Sequence, residues 1–87
     1  MINLKKEIGN LLFNLIKDKV EEFIRGLGYS IKSSKFDDRH HEAYEFLFLA
    51  TKDGKKFHMD VSLEPYEEAD SVPLWIRETE ESFDVPV

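Results

Sequence analysis

A chain of 87 residues has room for one small hydrophobic core, and the absence of cysteine excludes disulfides, thiolate metal sites and thiol nucleophiles. Hydrophobic residues at 41% and aromatics at 13% suffice for that core and exclude global disorder. The net charge of −6 is unevenly placed: residues 64–87 hold eight acids against one base, Arg77, whereas residues 1–63 hold eleven bases and ten acids.

The first residues, Met1-Ile2-Asn3-Leu4-Lys5-Lys6-Glu7, lack the small-residue cleavage site of a signal peptide, and every apolar run is too short to span a bilayer. A cytoplasmic chain with no membrane partner is therefore expected. Leu4, Ile8, Leu11, Leu12, Leu15, Ile16, Val20, Phe23, Ile24 and Leu27 recur at helical spacing, which predicts one amphipathic helix over residues 3–27. Asn3 suits the N-cap, because its side-chain oxygen can accept from an orphaned backbone N–H. Gly28 suits the residue past the end, where positive φ is needed. Gly9 weakens the first turns. Phe13 lies beside the stripe and widens the face expected to be buried.

Residues 29–35 read as a first strand with a Ser-rich interior, and residues 36–42 as a polar loop. Residues 43–51 and 56–64 read as a hairpin around Asp53-Gly54, a pair that tolerates the positive φ a type I′ turn requires. That turn sets a register. One face then pairs Tyr44 with Leu63, Phe46 with Val61, Phe48 with Met59 and Ala50 with Phe57, all apolar. The other pairs Glu45 with Ser62, Leu47 with Asp60, Leu49 with His58 and Thr51 with Lys56. A slip of one residue would destroy this segregation.

The aromatic face is expected to receive the helix stripe. The fold class is α+β: one N-terminal amphipathic helix packed on an antiparallel meander of three to four strands (αβββ), with an acidic C-terminal segment. Residues 72–79 are expected as an edge strand or clamp, because Pro73 has no N–H to give a ladder. The domain is placed at residues 1–79 and an acidic tail at 80–87. Leu47 and Leu49 point away from the helix and need a cover, from Trp75, Leu74, Ile76 or Phe83, or from a second subunit.

Catalytic motifs do not stand out. Asp37-Asp38-Arg39-His40-His41-Glu42 is rich in metal-ligand types, but adjacent histidines rarely reach one ion, so the segment reads as a solvated loop. His58 and Asp60 share a strand face, as an imidazole-orienting pair would. Ser62 continues that row, but strand geometry puts it about 13 Å from His58. A helix followed by a strand and a carboxylate-bearing hairpin resembles, in topology, nucleases of the restriction-endonuclease-like fold. Their Glu-x-Lys strand has no counterpart in Asp60-Val61-Ser62 or Glu45-Phe46-Leu47, and Asp53-Gly54-Lys55 lies on a hairpin tip. Helix residues Lys5, Lys6, Lys17, Lys19 and Arg25 are interleaved with Glu7, Asp18, Glu21 and Glu22, so no basic patch for nucleic acid forms.

The C-terminal segment remains. Glu64, Glu67, Glu68, Asp70, Glu78, Glu80, Glu81 and Asp84 are interleaved with Trp75 and Phe83, and a merely solubilising tail needs no aromatic anchor. The expectation is a non-enzymatic binding protein, with no cofactor or metal, that docks these residues on a basic partner protein. If that partner's surface normally holds nucleic acid, the chain acts as a phosphate mimic. In size and charge it resembles the small acidic inhibitors made by phages. Two alternatives stand beside it: a homo-oligomeric accessory protein, such as a homodimer through Leu47 and Leu49, and a metal-dependent hydrolase or nuclease using Asp38, His40, His41 or Asp60.

Overall fold

Asn3 opens the helix in the computed structural model: its Oδ1 accepts the Lys6 backbone N–H at 3.1 Å, and α1 follows over Leu4–Gly26. The structure describes residues 3–39, 43–64 and 70–87. At the far end the Gly28 N–H bonds back to the Arg25 carbonyl at 2.9 Å and the Tyr29 N–H to that of Ile24 at 3.4 Å, with Gly28 at φ +98°. This pair of bonds is the Schellman closure, which satisfies two orphan carbonyls and needs a residue free of Cβ strain.

Five antiparallel strands follow: β1 Ser30–Asp37, β2 Tyr44–Lys52, β3 Lys55–Leu63, β4 Ser71–Ile76 and β5 Glu81–Pro86. They lie side by side in chain order. The β2–β3 register matches the hairpin expectation pair for pair, with Asp53 at φ 52° and Gly54 at φ 75° forming the turn. The buried side of the sheet carries Tyr44, Phe46, Phe48, Ala50, Met59, Val61, Val72, Leu74, Ile76 and Val85, and α1 closes it with Ile16, Val20 and Ile24. Rings interlock across this layer: Phe13 lies 5.4 Å from Phe46, and Phe23 lies 5.9 Å from Phe83. Gly9 has a packing reason beyond its helix cost. A Cβ there would sit 2.2 Å from the tip of the Phe36 ring, so only glycine lets that ring reach the helix backbone.

The α+β class holds, but there are five strands where three to four were expected. Residues 81–86, expected in the acidic tail, form β5 and bury Val85. The turn that joins it to β4, Arg77-Glu78-Thr79-Glu80, contains no Gly or Asn, yet Glu80 adopts φ 58°. A turn of this kind leaves no sequence signal.

β4 is an interior strand, with β3 on one side and β5 on the other. Pro73 is tolerated because of where its nitrogen faces. Arg77 donates its N–H to the His58 carbonyl at 2.9 Å, so alternate residues of this segment, Pro73 among them, face β3. The β3–β4 ladder ends at Leu74 opposite Val61, before a Pro73 donor would be called on.

The helix stripe is two stripes. Leu4, Ile8, Leu11 and Leu15 were expected on the buried face but are 45–71% exposed. At about 100° per residue these four project some 130° away from the Ile16–Val20 direction. A sheet covers one side of a helix, and the ten apolar positions span more than one side.

Candidate functional site

Strand alternation sends the remaining side chains to the face opposite α1. β2 contributes Leu47 and Leu49, β3 contributes His58 and Asp60, and β4 contributes Trp75. In register, one row runs Lys35, Leu47, Asp60, Trp75 and Ser82 across the five strands. Lys35, Trp75 and Ser82 of this row are exposed, and Leu47 and Asp60 are half-buried. A shallow groove of about 390 Å³ lies over Leu47 and Leu49, bordered by Lys35, Arg39, His58, Asp60 and Arg77. Of the expected covers, Leu74, Ile76 and Phe83 turn to the helix side, and only Trp75, 42% exposed, shares this face.

The polar groups at the β3–β4 seam are paired. Glu78 accepts the His58 backbone N–H at 2.6 Å through Oε1, and its Oε2 lies 2.6 Å from His58 Nδ1. Partial desolvation pushes the Glu78 carboxyl up. The His58 ring and backbone hydrogen bonds outweigh it and hold the carboxyl below the usual carboxylate range. Asp60 faces the Arg77 guanidinium at 3.5 Å. His58 and Asp60 therefore share a face, as their spacing implies, but each takes its partner from the β4–β5 turn. Sequence reasoning places Glu78 among the partner-binding acids but misses its pairing with His58, and misses Arg77 as the partner of Asp60, because the turn itself is not legible.

Of the acidic residues, those of the β4–β5 ribbon lie at one edge of the sheet, whereas Glu64 follows the central strand β3. Glu78, Glu80 and Glu81 sit at the β4–β5 turn. Burial raises the Tyr29 phenol pKa most, and the charges of Glu81 and then Glu78 add to it. Asp84 pairs with Pro73 in the ribbon. Glu64 follows β3, and Asp70 precedes β4, at the other end. All six are on the surface. Phe83 does not join Trp75: it lies opposite Leu74 on the helix side, packed on Phe23. Glu67 and Glu68 lie outside the described residues, as do His40, His41 and Glu42 of the loop.

For the hydrolase alternative, Asp38 pairs with Lys6 at 3.6 Å, and Arg39 donates to both oxygens of Asp37 at 2.8 Å. Among the described residues no three His, Asp or Glu side chains gather as ligands for one metal ion. Nor, among them, is any helix long and apolar enough to cross a membrane. A scan against protein-family models and searches of curated proteins and of solved structures return no match.

Proposed function

We propose that this chain is a non-enzymatic binding protein that presents its β4–β5 ribbon to a basic partner protein. One observation carries the reading: the strands lie side by side in chain order. Charge that is segregated along the sequence is thereby segregated across the molecule. Residues 70–87 hold Asp70, Glu78, Glu80, Glu81 and Asp84 against Arg77 alone, and they form the last two strands of the sheet. At the other edge, β1 and the residues after it bring Lys32, Lys35 and Arg39 against Asp37 and Asp38. The result is a potential gradient from one edge of the sheet to the other, with Trp75 exposed near its negative side. An aromatic anchor beside steering charge is the arrangement that protein contacts use for affinity and rate. The same carboxylates also guard the free edge of β5 against pairing with another strand.

If the partner's basic surface is one that binds nucleic acid, the ribbon competes with phosphate for it. The test takes the partner captured from the host and measures its affinity for four chains. These are the native chain, Trp75→Ala, a neutralised E80Q/E81Q/D84N chain, and Leu47→Ser as a control on the same face. We expect Trp75→Ala to lose tenfold or more, on the order of a hot-spot residue. The neutralised chain should lose affinity and most of its salt dependence. Affinity indifferent to salt and to both changes overturns the proposal.

A further inference from the structure

We infer that two copies of this chain pair through α1, antiparallel and side by side, along Leu4, Ile8, Leu11 and Leu15. These four side chains are large, aliphatic and 45–71% exposed. They follow one another at steps of four, three and four residues, the step of a helix–helix seam. The core of the protomer does not use them: Ile16, Val20 and Ile24 close the sheet from another side of the helix.

The pattern selects a second copy as the occupant. Read backwards, the steps are again four, three and four, so the stripe is complementary to itself under a twofold axis between Ile8 and Leu11. That axis lays Leu4 on Leu15 of the second copy and Ile8 on Leu11. The charges agree. Residues 8–16 contain no charged side chain, and Asn10 and Asn14 flank the stripe on its polar side. In the antiparallel arrangement Lys5 comes beside Leu12 of the second copy and Glu7 beside Asn14, so no like charges meet. A lipid surface would call for cations where the two asparagines stand.

The seam is about 17 Å long, at 1.5 Å per residue, on a helix about 10 Å wide. Each copy therefore contributes a few hundred Å² at most, less than the roughly 800 Å² per partner of a standard interface. The pairing is accordingly concentration-dependent and not obligate. Because α1 and the Trp75 face lie on opposite sides of the sheet, a dimer keeps both acidic ribbons free.

Sedimentation of the full chain from micromolar to near-millimolar concentration tests this. The average mass should climb towards twice the chain mass, and L11E/L15E should remain monomeric while keeping the native circular dichroism and melting curve. Orientation is read from the native absence of cysteine. A mixture of Ile8→Cys and Leu11→Cys chains, mildly oxidised, should yield the mixed 8–11 disulfide above its random share. A native chain that stays monomeric overturns the inference. So does a dimer that survives L11E/L15E but is lost in L47E/L49E, or one that yields mainly 8–8 and 11–11 disulfides. A monomer whose stripe binds neutral phosphatidylcholine vesicles would assign the face to lipid and overturn it equally.

Discussion

Glu78 holds His58 at two points, the backbone N–H and ring Nδ1, each at 2.6 Å. The contact closes the β4–β5 turn onto β3, twenty residues earlier in the chain. A hydrogen bond to a charged group contributes about 1.5–3 kcal/mol when protected, and less at a surface such as this.

The pH dependence follows from the sign of the Glu78 shift. Its folded-state carboxyl lies below the ordinary glutamate value of 4.5. The stabilisation is therefore complete above that value and disappears as pH falls through the lower, folded one. We expect Glu78→Gln to melt several degrees below the native chain near neutral pH, about 1 kcal/mol at 4–8 °C per kcal/mol for a domain of this size. The difference should shrink towards zero in strong acid. A gap that is constant with pH would contradict the assignment.

Gly9→Ala sets two effects against each other. Alanine favours a helix by about 1 kcal/mol over glycine. Its Cβ, however, would stand 2.2 Å from the Phe36 ring, which is itself packed on Phe46 at 5.6 Å and Tyr44 at 6.2 Å. Overpacking costs about 1–3 kcal/mol, so the net change is a loss. Phe36→Leu in the Gly9→Ala background should return part of it, and a double-mutant cycle from denaturant midpoints measures the coupling.

Leu74 and Trp75 are neighbours with opposite assignments. Leu74 is fully buried, whereas Trp75 stands on the open face. Leu74→Ala should cost about 2–5 kcal/mol of stability in chemical denaturation. Trp75→Ala should leave the denaturation midpoint nearly unchanged while lowering partner affinity. A large stability loss at Trp75 would mean that the open face is structural.

Glu21 anchors α1 to β1. Its Oε2 accepts the Ser34 hydroxyl at 2.8 Å, and its Oε1 meets the Arg25 guanidinium at 3.1 Å. The carboxylate is nearly buried, so removing it leaves Ser34 without its acceptor. Glu21→Ala should destabilise by about 1–3 kcal/mol, and Ser34→Ala should soften that cost because the stranded hydroxyl is gone.

The legible parts of this chain were those in which two local signals agree. Asn3 and Gly28 marked both ends of α1, because caps are decided by the residues at the cap. The Asp53-Gly54 turn and the alternation on either side of it independently specified one register. The β4–β5 turn has no such signal: Glu80 enters the left-handed region without being glycine, so in sequence its strand reads as tail. For the candidate site, the acidic character and Trp75 were legible. Its pairing of Glu78 with His58 was not, since the two are brought together only by the β3–β4 crossing.

Alone, the sequence determined the helix, the central hairpin, the α+β class and the direction in which charge accumulates, because each depends on neighbours a few residues apart. Tertiary structure decided which apolar residues find cover. A helix has two sides and the sheet can take only one, which leaves Leu4, Ile8, Leu11 and Leu15 outside. It likewise decided that Trp75 faces outward and Phe83 inward, since a strand's inner side exists only once it is hydrogen-bonded into a sheet.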